Sequence, residues 1–215
     1  MIKSVPMKNT FKLFTRLSMR TVLLGCVLWL CSPVTLAANE QVIGVVENLH
    51  GILLDNMQNA KERGYQGRYE AVLPFVEQKF DLPLIVKVIL SRYWSKFSEE
   101  QKQGFIELFK ELTVATYASR FAEYNNEKFV TKSVEELKKG RLLVKTEIQS
   151  EGEDPVSLDY LMHRKDGQWQ IISVVANGIN DLSLKRAEYG TIIKDQGFDA
   201  LVKQIREKIT QYETS

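Results

Sequence analysis

The sequence predicts an α+β fold in which helices cover one curved antiparallel sheet of four strands. Three observations predict it. Apolar residues recur at helical spacing from residue 40 to about 125. The period then shortens to two over most of the stretch to about 176. After Gly178 an Asn-Asp pair opens a second helical stretch that lasts to about Tyr212. Helices, a meander and helices again is the order of a single sheet with a helical cover.

The elements follow in order. Val42, Val45, Val46, Leu49, Ile52, Leu53 and Met57 form one stripe, so a helix is expected over 40 to about 62, ending near Gly64. A second helix covers 68 to 79. FDLPLIVKVILSRYW, residues 80 to 94, can be capped by Asp81 with Pro83 in the first turn, and it is apolar on most sides, which predicts burial. Ser98-Glu99-Glu100-Gln101 is a capping box ahead of a long helix to about Asn125, with Phe105, Leu108, Phe109, Leu112, Ala115 and Phe121 on its apolar side.

A weak strand at 128 to 134 precedes RLLVKTEIQ (141 to 149), which places Leu142, Val144, Thr146 and Ile148 on one side. VSLDYLM (156 to 162) alternates in the same way. Asp166-Gly167 is a two-residue hairpin signal, and pairing outward from it sets Met162 opposite Ile171, Tyr160 opposite Ser173 and Leu158 opposite Val175. Asn177-Gly178 reads as a corner, Asn180 or Asp181 as the cap of a helix over 182 to 195, and Gly197-Phe198-Asp199 as the entry to the last helix.

The chain has 215 residues, and its first 38 have the form of a secretory signal. Lys3, Lys8, Lys12, Arg16 and Arg20 precede the apolar run TVLLGCVLWLC and the small-residue stretch SPVTLAA. Leu23-Leu24-Gly25-Cys26 superficially matches a lipoprotein box, but the apolar run continues past the cysteine, so soluble release into the periplasm is expected. Cys26 and Cys31 would leave with the signal, which removes disulfides and thiolate chemistry from the mature chain. Five of 29 basic residues and none of 27 acids lie in the signal, so residues 39 to 215 carry 24 against 27, a net charge of −3. That balance argues against nucleic-acid binding. With no repeat or linker, residues 39 to 215 form one domain.

No phosphate loop, zinc-protease helix or nucleophile elbow occurs, and neither a catalytic residue nor a metal or cofactor is assigned. His50 and His163 lack a paired motif and read as ordinary satisfied or surface residues. Glu151-Gly152-Glu153-Asp154 lacks calcium-ligand spacing and reads as a solvated hairpin tip. Lys138, Lys139, Arg141 and Lys145 form a basic cluster that serves solubility or meets an anionic head group or a partner. The conspicuous feature is apolar surplus: Ile85, Ile89, Phe105, Leu108, Phe109, Leu112, Val144, Ile148, Leu158, Tyr160 and Met162, with Ile171 and Ser173 beside them on the last strand, point to one interior. Three readings follow: a carrier of an apolar ligand, an enzyme using Tyr160, Ser173, His163 or Asp159, and a non-catalytic adaptor that docks transporter subunits. The pairing places Asp159 and His163 on the face opposite Tyr160, which counts against the enzyme.

FDLPLIVKVILSRYW, SEEQKQGFIELFKELTVATYASRFAEY, DPVSLDYLM, GQWQIISVVANGI and RAEYGTIIKDQGFDALVKQIREK, in this order, resemble the MlaC or toluene-tolerance family of periplasmic lipid-binding proteins over about 40 to 212. The resemblance implies a pocket for acyl chains between helices and sheet, with the head group near solvent. It further implies a membrane lipid as ligand, and as partners an inner-membrane ABC transporter complex and an outer-membrane lipoprotein complex. Ser173 stands where many phospholipid-shuttle members have an aspartate, and Gly178-Ile179-Asn180-Asp181-Leu182 is similar to the hopanoid-associated HpnM branch. The resemblance therefore implies either a phospholipid or a hopanoid.

Overall fold

The computed structural model describes residues 33 to 214, with side chains from residue 38. The basic and apolar parts of the expected signal, with both cysteines, lie outside the described residues. The elements are α1 (Pro33–Gln58), α2 (Ala60–Lys79), α3 (Leu82–Leu90), a 3-10 segment (Ser91–Lys96), α4 (Glu99–Arg120), β1 (Lys128–Leu137), β2 (Arg141–Gln149), β3 (Val156–Lys165), β4 (Gln168–Ala176), β5 (Ile179–Asn180), α5 (Asp181–Gln196) and α6 (Phe198–Glu213). Among the described residues no helix is long and apolar enough to cross a membrane.

Local signals set most helix ends. Ser98 Oγ accepts from the Gln101 N–H and Gln101 Oε1 accepts from the Ser98 N–H, so the predicted capping box is formed. Such a cap contributes about 1 kcal/mol. Asp81 caps α3 through the Leu84 N–H, with Pro83 in the first turn. The helix expected over 80 to 94 is shorter, because Ser91 turns to φ 49 and the chain continues as the 3-10 segment. The first helix also ends earlier than expected, and the next begins at Ala60 and breaks from helical geometry at Gly64, where φ is 58. Glycine meets that angle without a Cβ clash. Arg68 then locks α2 against α4, its buried guanidinium donating Nε–H to the Ala118 carbonyl at 2.8 Å.

The sheet is a meander in the order β1-β2-β3-β4-β5, antiparallel throughout, with five strands where the sequence predicts four. The added strand comes from Asn177-Gly178. Their φ angles of 48 and 77 match those of Asp166-Gly167, 49 and 81. Both dipeptides are therefore two-residue hairpin turns, and the expected corner folds the chain back on β4.

The predicted hairpin register holds only near its turn. Met162 pairs with Ile171 as expected, but a bulge follows, so Tyr160 meets Val174, Leu161 meets Ser173 and Leu158 meets Ala176. The physical reason is the Ile171-Ile172 pair. In a regular strand two consecutive residues point to opposite faces; an extra residue bends the strand and both isoleucines become buried. On the interior side, cross-strand neighbours then form rows such as Val134–Val144–Tyr160–Val174 and Leu142–Met162–Ile171.

The helices cover the sheet from several directions. Val42, Val46, Leu49 and Leu53 of α1 are fully buried at helical spacing, and α1 touches β1, β2 and β4. α3 packs on α4, α5 and β4, while α4 is enclosed by α2, α3 and α6. One continuous apolar core results, joining all of these elements.

Candidate functional site

Ten of the predicted ligand residues meet in that core: Ile85, Ile89, Phe105, Leu108, Phe109, Leu112, Val144, Tyr160, Met162 and Ile171 are buried together. Leu158 is half-buried against them. Ile148 is also half-buried but lies outside the cluster, level with Phe129 and Val156 at the end of β2. Ser173 departs from the expectation. The bulge places it opposite Leu161 rather than Tyr160, hence on the other side of the sheet, and its hydroxyl accepts from Asn180 Nδ2 at 3.1 Å. Asn180 also caps α5 through the Ser183 N–H. Ser173 and Asn180 therefore touch each other and tie β4 to α5.

One polar pair lies inside the apolar interior. His50 of α1, 5% exposed, places Nε2 3.1 Å from the hydroxyl of Tyr160 on β3, which is 1% exposed. The imidazole also stacks on Phe129, with ring centres 4.1 Å apart. Burial lowers the His50 pKa to about 4 and raises that of Tyr160 well above the usual phenol value. Both are neutral at pH 7, so the phenol can donate to Nε2 while Nδ1 carries the imidazole proton. The sequence treats His50 as ordinary; its place between Leu49 and Leu53 on a buried stripe is the signal that marks it.

A second polar cluster pins the start of α3. Asp81, 4% exposed, accepts from Lys165 Nζ at 3.0 Å and donates its backbone N–H to the Ile171 carbonyl. His163 Nε2 is 3.0 Å from the other carboxylate oxygen, without the alignment of a hydrogen bond. α3 is thereby fixed at its N-terminal end to the β3–β4 hairpin. The predicted polar actors are thus dispersed: His163 faces Asp81, Ser173 faces Asn180, Asp159 pairs with Val175, and Tyr160 meets His50. Tyr160, Ser173, His163 and Asp159 therefore do not converge on one site.

The C-terminal end of α3 borders a groove of about 400 Å³ against α5. Ile89 and Leu90 form its apolar part, and Arg92, Arg186 and Lys194 are exposed along it. The basic cluster expected from the sequence lies elsewhere, at Lys138, Lys139, Arg141 and Lys145; of these, Lys145 pairs with Glu135 at 2.6 Å. The groove cations come from two segments far apart in the chain, although Ser183, Arg186, Ala187, Gly190, Thr191 and Lys194 do recur at helical spacing.

The family described as MlaC protein matches residues 47–207. The chain is 26% identical over 144 residues to the intermembrane phospholipid transport system binding protein MlaC of Haemophilus influenzae, and the match spans 65% of either chain, just under two thirds of that relative. It is 25% identical over 162 residues to the toluene tolerance protein ttg2D of Pseudomonas putida, covering 75% of each. The fold matches a phospholipid-binding protein of Ralstonia solanacearum, solved in complex with a phospholipid, with a TM-score of 0.67 at 23% identity, over 81% of this chain and 98% of that one. By sequence, this chain belongs to the MlaC family.

Proposed function

We propose that this chain is a periplasmic lipid carrier. It holds the apolar part of a membrane lipid between helices and sheet, and moves it between an inner-membrane ABC transporter complex and an outer-membrane lipoprotein complex. The observation that carries the reading is the wall of Val144, Met162, Ile171 and the Tyr160 ring, which shares one apolar core with residues of α1, α3 and α4 in a chain of the MlaC family. The name of one relative, an intermembrane phospholipid transport system binding protein, supports a lipid as ligand.

Burying a chain of about sixteen carbons contributes on the order of 12 kcal/mol before ordering costs. Binding is therefore easily driven, and release sets the harder requirement. In the sequence there is no nucleotide motif, so direction comes from different affinities for the membrane complexes. Acyl chains and core side chains compete for the same interior, and loading requires helices to move off the sheet. The wording Gly178-Ile179-Asn180-Asp181-Leu182 favours a hopanoid beside the phospholipid as cargo.

The test is organic extraction and mass spectrometry of protein purified gently from its native host. A phospholipid or hopanoid at near-equimolar ratio is expected. Protein that carries no lipid, and takes none from vesicles, overturns the carrier reading. Leu158→Arg separates a carrier from an adaptor: a carrier loses lipid, whereas an adaptor that stays folded keeps its partner.

A further inference from the structure

We propose that the groove between the end of α3 and α5 binds the phosphate of an anionic head group, held by Arg92, Arg186 and Lys194. The inference rests on the carrier reading and names where the polar end of the ligand sits. Three observations carry it.

The first is charge. Residues 39 to 215 hold 24 basic residues against 27 acids, yet the groove is lined by three cations and no carboxylate. Among the described residues neither Arg92 nor Arg186 has a carboxylate within ion-pair distance, and Lys194 reaches only Asp195 at 3.9 Å. Arg92 follows the C-terminus of α3 and Lys194 is in the last turn of α5, where a cation offsets the helix dipole. Arg186 lies in the first half of α5 and has no such role, so it is the diagnostic residue.

The second is shape. Ala187 and Gly190 leave the middle of the α5 face low, and a Cβ built on Gly190 meets nothing within 4 Å. Tyr93 marks the opposite wall, with its hydroxyl 3.4 Å from the Gly190 carbonyl and 3.2 Å from Arg92 Nη2. A volume of about 400 Å³ falls within the usual range for small-molecule sites, about 300–1,000 Å³. Ser183 and Thr191 add hydroxyls along the same line.

The third is continuity with the interior. Ile89 and Leu90, which border the groove, are each 1% exposed and belong to the core cluster. A phosphate at Arg186 would thus have its apolar chains directed at the seam where α3 meets α5. α3 is pinned at its other end by Asp81, so movement at this seam pivots on that attachment.

The test uses the secreted protein with three probes: phosphatidylglycerol, diacylglycerol with the same chains, and soluble glycerophosphoglycerol with inorganic phosphate as competitor. Arg186→Gln and Arg92→Gln are each expected to weaken phosphatidylglycerol uptake about tenfold, the size of one lost charge-assisted contact, and to leave diacylglycerol unchanged. Equal losses for both lipids, or none for the phospholipid, overturn the proposal. Glycerophosphoglycerol should shift the amide signals of Tyr93, Gly190 and Thr191 in the unaltered protein and not in the double variant. Inorganic phosphate that displaces it at equal concentration, with lipid uptake unaffected by the variants, marks a free-anion site and overturns the head-group assignment. Should the unaltered protein take up neither lipid, the carrier reading fails, and the amide shifts alone decide whether the groove holds a phosphodiester.

Discussion

Two helix seams border the same core and are built differently. Where α1 crosses the sheet, Val46, Leu49 and Leu53 are fully buried and the buried polar pair, His50 and Tyr160, is satisfied internally. Where α3 meets α5, the facing residues are Ser183, Ala187, Gly190 and Thr191, and a groove remains. The core is thus sealed on one side and notched on the other.

The contrast breaks first, and most visibly, at the sealed seam. Leu53→Ala removes a fully buried side chain and is expected to lower unfolding stability by about 3 kcal/mol in urea titration; a loss under about 1 kcal/mol would mean that α1 is not tightly seated.

Acid is the next largest lever on that seam. The His50 pKa is lowered from 6.5 to about 4 in the folded protein, so the unfolded chain takes up the proton first. Stability is unaffected above pH 6.5 and falls as pH drops from there towards 4, by about 1.4 kcal/mol per unit. Between pH 7 and pH 5 the protein is therefore expected to lose about 2 kcal/mol more than its His50→Gln variant, as read from paired urea titrations. Parallel pH profiles would show that burial of the imidazole is not what holds it neutral.

Tyr160→Phe leaves His50 Nε2 without its partner and should cost about 1 kcal/mol, with little change in the slope of the denaturant curve. The smallest effect has the opposite sign and belongs to the notched seam. Gly190→Ala meets open space within α5 and is expected to add up to about 1 kcal/mol of stability. If it destabilises instead, α5 packs more closely on α3 than the groove implies.

Much of the helical half was legible because its signals are local. The Ser98–Gln101 box, the Asp81 cap and the α1 stripe each need only a few neighbouring residues to act. The β3–β4 pairing was legible only as far as Met162 and Ile171, since a turn dictates register near itself and a bulge beyond it depends on what the other face must bury. Ile171-Ile172 raises that conflict in the sequence, but only the packed sheet resolves it. Likewise Asn177-Gly178 carries the same hairpin signal as Asp166-Gly167, and the short length of β5 hid the strand that follows.

Residue types, periodicity and caps determined by themselves that this chain is an α+β domain with an apolar interior, and ten of its expected ligand residues do lie there. Tertiary structure alone decided that Ser173 turns away to Asn180, that His50 finds Tyr160 across 110 residues, and that Arg92 and Arg186 share one groove. The physical reason is range. Propensity and capping act within a helical turn or two, whereas a bulge, a buried polar pair and a field of like charges exist only once distant segments have been brought together.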